Sequence, residues 1–417
     1  MRVALVNPNR YVEPPVIPVG VEYLAHYLER EGHEVGVIDL TFADDPEAAL
    51  GEALQGFDPH VAGFSLRNVD TSLYFDNAFL LDTSAALIAA CRRECEAMVV
   101  VGGSALLAGP REVMEYVDGD YAVHGPGERA LPALLRDLER GASPPRLLDG
   151  WSHSFDAAEV PARGRWVDYA PYLAGRGVAG FATQVGCMGR CSFCIEAGLP
   201  WKPRSPMAVV EELAVLRAQG CTELHLCDCE FNQDLDTAKE MLRQMEEAGL
   251  GLSWSLYMKP LPHDAKLFRM LAASGAASLT LSVDSASLAA GAYGLADLGS
   301  FIALARGEGI GVAVDLLVGF PAETLQGLRP LFDFFREAEP DTVGVSAGIR
   351  VFKYTELGKA MRERAPSEGS LEGGDPDFIR PAYFNLLSLE DCRELVGGDP
   401  LFRIEGLERR SNYERLS

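Results

Sequence analysis

Three cysteines within eight positions, Cys187, Cys191 and Cys194, lie in the stretch FATQVGCMGRCSFCIEAG at residues 181–198, between a short apolar run and a Gly/Pro break. Scattered at random over the chain, its cysteines would give a C-x3-C-x2-C triplet on the order of 0.004 times, so the spacing carries information. Thiolates this close suit a soft metal. Four would close a structural zinc or iron–sulfur site, whereas three leave one coordination position for a substrate or cofactor. A zinc ion completed by a distant His or Cys is the alternative.

The bulk composition narrows the setting. With 417 residues, 48% of them hydrophobic and 24% charged, the chain is ordinary globular material, enough for two or three domains with sizeable cores. Its formal charge of −24 repels a phosphate backbone, and no dense Lys/Arg run offsets it, so nucleic acid is excluded as a partner. No apolar run reaches the roughly 18 residues of a membrane span. The start, MRVALVNPNR, reads as a buried strand and not as a signal peptide. These features predict a soluble cytoplasmic protein with no membrane partner. In that reducing compartment the nine cysteines are core residues, metal ligands or reactive thiols, not a disulfide framework. Cys91 and Cys95, four apart on an expected helix, suit core packing; Cys227 and Cys229, on one face of an expected strand, suit packing or, alternatively, a redox or substrate-shielding role. Cys221 and Cys392 have no evident partner.

The elements that must position the thiols follow from periodicity. Residues 1–140 alternate five apolar runs (2–6, 34–38, 60–65, 97–101 and 120–124) with five helical patterns, near 19–31, 46–55, 81–94, 110–117 and 128–139. That alternation predicts a Rossmann-like, doubly wound parallel sheet of α/β class, with ligands beyond the carboxyl ends of its strands. Residues 141–177 have turn chemistry and read as a linker. A second alternation occupies 178–365, with apolar runs at 178–185, 222–228, 250–256, 276–283, 311–319 and 342–349. Six βα units predict a partial (β/α)6 barrel open on one side, with the thiols directly after its first strand. Residues 366–417 read as a small C-terminal cap.

With the motif on that loop, the resemblance becomes specific. The stretch CMGRCSFC resembles the C-x3-C-x2-C signature of the radical S-adenosylmethionine (SAM) superfamily. CDCEFN (227–232), SVDSAS (282–287), GFPAET (319–324) and GIRVFKYTELG (348–358) are similar, in order, to the family's later strand ends. An α/β domain ahead of such a barrel resembles the cobalamin-dependent subgroup. The resemblance implies that Cys187, Cys191 and Cys194 hold three irons of a [4Fe–4S] cluster while SAM chelates the fourth, and that SAM is cleaved to a 5′-deoxyadenosyl radical. It places Phe193 near the adenine, Asp228 and Glu230 near the methionine amine, Ser282 and Asp284 near the ribose, and Arg350 against the carboxylate. Glu323 stands apart as a charge at a helix start.

The resemblance also implies cobalamin contacts from four loops: Asn7, Pro18 and Gly20; Ser65, Leu66, Arg67 and Asn68; Gly102, Gly103 and Ser104; and Gly125, Gly127 and Glu128. In GPGE (125–128), Pro126 departs from the subgroup's G-E-G-E turn. Asp58 to Gly63, DPHVAG, matches the D-x-H-x-x-G pattern that supplies a histidine to cobalt in other cobalamin proteins, but it precedes the third strand, so His60 reads as a loop residue. Residues 7–20 hold no histidine, which implies cobalamin without a protein histidine on cobalt; Leu66 or Arg67 would face its lower side. Arg67 could equally pair with Asp70. The implied function is transfer of a methyl group from SAM, by way of cobalamin, to an unactivated carbon of a small molecule, a peptide not being excluded, with electrons from a donor such as a flavodoxin or ferredoxin. The alternatives are an oxidation, cyclisation or ring contraction with the same cofactors, a radical SAM enzyme that has lost cobalamin, and a zinc-stabilised binding module.

Overall fold

A computed structural model describes residues 1–12, 14–363 and 369–407. The chain divides into two compact units. Residues 1–70, 79–181 and 207–223 form the first, and residues 71–78, 182–206 and those from 224 onward form the second.

The first unit is built on a six-stranded parallel sheet: β1 (Arg2–Asn7), β2 (Glu34–Asp39), β3 (Val61–Ser65), β4 (Met98–Gly102), β5 (Tyr121–His124) and β6 (Leu147–Asp149). Their order is β2-β1-β3-β4-β5-β6. Val3, Leu5, Val61 and Val100 are buried with the stripe Val21, Ala25 and Leu28 of helix α1 (Val19–Arg30), the i, i+4, i+7 spacing that turns one helix face to a sheet. Helices α2 (Pro46–Phe57), α3 (Leu81–Glu94), α4 (Pro110–Tyr116) and α5 (Gly127–Glu139) complete the alternation. The entry to α2 is legible locally: Asp45 caps the amides of Glu47 and Ala48 at 3.1 Å, with Pro46 at the first helical position. Strand order reverses between β1 and β3, so the ligand edge expected of such sheets lies beyond Asn7 and Ser65.

The expected linker at 141–177 is structured. It supplies β6, whose Leu147 pairs with Ala122 of β5, and the short helix α6 (Ala170–Ala174). A three-residue strand is too short to show a period, which is why it reads as turn chemistry. The same segment carries Arg163, whose side chain is fully buried between Glu22 of α1 and Glu212, at 2.7 and 2.6 Å.

The second sheet takes β7 (Ala179–Phe181) at one edge; the chain then forms a hairpin of β8 (Gln184–Val185) and β9 (Lys202–Pro203) before helix α7 (Pro206–Ala218). The sheet continues through β10 (Glu223–Leu226), β11 (Ser253–Met258), β12 (Ala276–Asp284), β13 (Gly311–Val318) and β14 (Thr342–Ala347). Alternating helices are α8 (Leu235–Ala248), α9 (Ala265–Ala273), α10 (Ser285–Ala289), α11 (Leu295–Gly307) and α12 (Leu325–Ala338). Four of them begin on a side-chain cap, Asp234, Asp264, Asp284 and Thr324, which turns each chain sharply away from a strand's carboxyl end.

Residues after β14 are more integrated than a separate cap. β15 (Ile349–Arg350), β16 (Ser370–Gly373) and β17 (Ala382–Asn385) form an antiparallel sheet, with α13 (Glu356–Glu363) and α14 (Leu389–Val396) beside them in the chain, and β18 (Phe402–Ile404) pairs with β14 as the seventh strand of the parallel sheet. The boundary expected between 365 and 366 lies outside the described residues. With β7 and β18 as its two edges the sheet stays open, as the six-unit count predicts. Among the described residues no helix is long and apolar enough to cross a membrane.

The loop 71–78 belongs to the second unit through its aromatic contacts. Tyr74 donates to Glu372 and accepts from Asn385, both at 2.7 Å, and Asn77 donates to Tyr383. Gly348, at φ +89°, leaves the space for Tyr74: a Cβ there would stand 2.5 Å from Tyr74 Cγ. Replacing Gly348 by alanine should therefore cost about 2 kcal/mol, from left-handed strain and displacement of the Tyr74 ring. Thermal unfolding checks this, and an unchanged midpoint would mean that the ring is not seated there.

Candidate active site

The segment that follows β7 is shaped by short-range bonds before any cofactor is considered. Cys187 N donates to Leu199 O at 3.2 Å and Gly198 N to Gly189 O at 2.8 Å, closing residues 187–199 into a loop. Gly186 is held at φ +80°, where a Cβ would run into the Pro200 carbonyl, so no other residue fits. Within the loop, the amides of Gly189 and Glu196 donate to the sulfurs of Cys187 and Cys194 at 3.3 and 3.4 Å. Backbone N–H groups aimed at sulfur favour the thiolate that binds iron.

A second loop, 227–233 after β10, is stitched to the first. Asp228 accepts from the Thr183 amide at 2.9 Å, the Gln184 amide at 3.3 Å and the Thr183 hydroxyl. Gln184 Nε2 donates to Glu230 O at 2.6 Å, Gln233 accepts from the Met188 amide at 2.6 Å, and Gln233 Nε2 donates to Gly186 O at 3.2 Å. Asp228, expected among the SAM contacts, is thus committed to holding the two loops together. Cys227 and Cys229 lie beyond the end of β10, so they share no strand face: Cys227 is exposed and Cys229 half-buried.

Burial pushes the Cys191 thiol up to about 11 and Cys194 to about 12, while the influence of the Cys229 thiol brings Cys187 down to about 7. Iron loading therefore displaces protons from Cys191 and Cys194. Among the described residues no three His, Cys, Asp or Glu side chains stand close enough to hold a single metal ion. A cluster spreads its thiolates over several irons and has no such requirement.

Glu230 carries the polar vacancy of this site. Its Oε2 is buried with no hydrogen-bond partner, and burial raises its pKa to about 8 against the lowering influence of Ser282. An orphaned buried carboxylate oxygen fits an amine donor, as a SAM amino group would be. Below about 8 the free carboxyl holds a proton that the incoming amine must displace. SAM binding should accordingly weaken as pH falls from 9 to 6, approaching tenfold per unit below the pKa. Calorimetry on anaerobic, cluster-loaded enzyme checks this; Glu230→Gln should flatten the part of the profile that belongs to the protein.

Other expected SAM contacts meet different fates. Phe193 lies against Phe320, ring centroids 5.4 Å apart, and the two offer an apolar wall. Asp284 caps α10 through the Ser287 amide at 2.7 Å. Arg350 is buried, its guanidinium bonded to the carbonyls of Val351, Phe378 and Ile379 and 4.2 Å above the Phe352 ring, contacts that tie it to the second unit. Glu323 accepts from the amides of Gly319 and Phe320 at 2.7 and 3.0 Å, fixing the turn after β13. Sequence reasoning missed Lys259, directly after β11, whose charge acts on Cys187, Cys191 and Glu230. Its position one residue past a strand's carboxyl end was the available signal.

In the first unit the expected cobalamin contacts divide the same way. Asn7 is buried and donates to Asp39 at 2.9 Å and Thr41 at 3.0 Å, a structural link. Pro18 precedes α1, Gly20 is open and exposed, and Glu128 lies in the first turn of α5. Ser65 ends β3; Leu66 is buried, whereas Arg67 and Asn68 are exposed, so Arg67 is the side chain offered beyond the strand. Ser104 Oγ donates to Arg67 O at 2.5 Å. Gly103, at φ +99°, is required because a Cβ would strike the Leu66 carbonyl, and Gly125 and Gly127 make room for Trp151 and Leu24. Those three glycines serve packing between loops more than approach to a ligand; Gly102 meets nothing nearer than 3.9 Å. His60, exposed at the amino end of β3, accepts from the Arg2 amide at 2.9 Å, away from the ligand edge. The edge does have one histidine that sequence reasoning passed over, His124 at the end of β5, whose pKa burial lowers. Exposed donors at Arg67 and Asn68 fit the amide-rimmed corrin of cobalamin.

Comparison with known proteins joins the two units. A family described as B12 binding domain matches residues 9–135, and one described as Radical SAM superfamily matches 181–335. The chain is 29% identical to a tryptophan 2-C-methyltransferase of Streptomyces laurentii, over 89% of this chain and 76% of that one. A solved structure of the radical SAM methyltransferase TsrM from Kitasatospora setae, with cobalamin and [4Fe–4S] cluster bound, superposes with TM-score 0.88 and 26% identity, over 98% of this chain and 92% of that one. The same enzyme with tryptophan substrate and a SAM analogue gives 0.89 and 27%, with the same coverage. The order of domains, the fold of each and this end-to-end likeness together place the chain in the cobalamin-dependent radical SAM methyltransferase family.

Proposed function

We propose that this chain moves a methyl group from SAM, by way of cobalamin, to a carbon of a small aromatic amino acid, with tryptophan the first compound to test. The observation that supports this is the reach of the likeness: it covers 98% of the chain, including the elements after residue 335 that the two cofactor-domain families leave unmatched. Elements outside a shared cofactor core are where substrate preference is set.

Bound cobalamin supplies a methyl carrier and the bound cluster a one-electron centre; everything else is the work of side chains. Cys187, Cys191 and Cys194 hold three irons. Glu230 accepts from the amine of SAM, Ser282 steadies that carboxylate, and Phe193 with Phe320 gives the adenine an apolar surface. Lys259 takes the carboxylate in place of Arg350, a point charge needing no bidentate geometry. Beneath cobalt, Arg67 offers no lone pair, so it cannot act as a ligand. Electrons come from a small one-electron donor such as a flavodoxin or ferredoxin.

The test is anaerobic incubation of cobalamin-loaded enzyme with SAM, reductant and tryptophan. The expected result is a product heavier by one CH₂, with S-adenosylhomocysteine rising in step; 5′-deoxyadenosine, read separately, reports hydrogen abstraction. Turnover of SAM with unmodified tryptophan would overturn the substrate, and a product of unchanged carbon count would overturn methyl transfer.

A further inference from the structure

We propose that Cys91 and Cys95 form a reversible oxidation site, at which a small-molecule disulfide reacts with Cys95 and Cys91 then resolves the mixed disulfide into a Cys91–Cys95 bond. The pair closes α3: Cys91 is in its last turn, and Cys95 follows its end in an extended conformation at φ −152° and ψ 163°. The two sulfurs stand 3.8 Å apart. The Cys95 amide donates to the Cys91 carbonyl at 3.0 Å, so the α carbons keep the helical i, i+4 separation of about 6 Å, inside the range that a disulfide spans. Bond formation brings the sulfurs closer by about 1.7 Å. That shift falls on Cys95, since Cys91 is fully buried and Cys95 lies outside the helix.

The surroundings order the two thiols. Cys91 is enclosed, and burial pushes its thiol up to about 12, which suits the group that reacts second. Cys95 is half-buried and lines an open cleft of about 690 Å³ with Arg92, Glu96, Met98, Asp120 and Arg146. Charges of both signs there suit a zwitterionic disulfide such as oxidised glutathione. Met98 begins β4 and Asp120 precedes β5, so the cleft borders the amino ends of the strands, opposite the ligand edge at Asn7 and Ser65. In the first step the Cys95 thiolate attacks one sulfur of the small disulfide, whose S–S bond breaks; the thiolate that leaves takes up the proton Cys95 gave away. Cys91 then attacks the Cys95 sulfur, and its proton goes to the second thiolate as that departs. Two protein thiols are oxidised to one disulfide, and one small disulfide is reduced to two thiols.

The experiment incubates full-length, cluster-loaded protein anaerobically with oxidised glutathione, alkylates the remaining thiols in denaturant, and digests with trypsin without reduction for mass spectrometry. Arg92 and Arg93 lie between the two cysteines, so trypsin places these on separate peptides, 68–92 and 94–111. In wild type the two peptides are expected joined by a disulfide. Cys91→Ala should retain glutathione on 94–111, and Cys95→Ala should give 68–92 alkylated and free of glutathione. Wild type with both peptides alkylated would overturn the inference. So would glutathione retained on Cys95 of the wild type, because Cys91 would then fail to reach it. Glutathione on Cys91 in Cys95→Ala would overturn the order of attack.

Discussion

Replacing Cys187, Cys191 and Cys194 together with alanine should leave a protein that binds no iron or sulfide and transfers no methyl group, a loss of at least about a thousandfold. Each thiolate serves one iron, and nothing nearby replaces them: Cys229 is a single thiol, and no alternative group of three metal-ligating side chains exists among the described residues. The backbone of the loop should survive, because its shape comes from Gly186, the Cys187–Leu199 and Gly198–Gly189 bonds and the Asp228 and Gln233 links, none of which uses a cysteine side chain. Cobalamin binding should persist, since Arg67, Asn68 and the turn at Ser104 belong to the first unit. The measurement is iron, sulfide and cobalt content after anaerobic reconstitution. Full iron in the triple variant would refute the cluster assignment, and loss of cobalamin together with iron would show that the variant had simply misfolded.

Arg163→Met should destabilise the first unit by about 3–5 kcal/mol, the cost of leaving buried carboxylates without their cation. Arg163 is fully buried, as are Glu22 and Glu212, and it also donates to Gly180 O at 3.1 Å. Glu22 is further bonded to the Tyr169 hydroxyl and the Gly164 amide, and Glu212 to the Tyr23 hydroxyl, so neither carboxylate can swing out to water without breaking other bonds. Adding Glu22→Gln and Glu212→Gln should recover part of the loss by removing the unpaired charges. Denaturant unfolding of all three proteins checks this. A triple variant no more stable than Arg163→Met would mean that packing, and not charge, is what Arg163 supplies.

Arg163 also shows where reading from sequence runs out. It sits in a segment whose glycines and prolines read as a linker, and nothing local marks it as the centre of a buried ion network. Its partners are 141 and 49 residues away, on helices brought to it by the sheet. The three-residue strands β6 and β18 escaped for a related reason: they are too short for periodicity, and exist because the neighbouring strands β5 and β14 have unpaired backbone edges to satisfy. Arg350 and Asp228 share a feature that position at a strand end does not disclose: each is bonded to backbone groups that only the folded chain brings near.

What the sequence alone determined is whatever depends on residues close together in the chain: the triplet of thiols, the alternation of apolar runs and helical faces that makes two parallel sheets, the capped entry to α2, and the misplacement of His60 ahead of β3. These are set by covalent spacing and local hydrogen bonding. What only the tertiary structure decided is which polar groups were left with unmet bonding capacity. Glu230 keeps a buried oxygen without a donor and feels the charge of Lys259, while Asp228, Asn7 and Arg350 are hydrogen-bonded to partners far away in sequence. A polar side chain is available for chemistry only when the fold has not already satisfied it, and that depends on every neighbour the packed chain supplies.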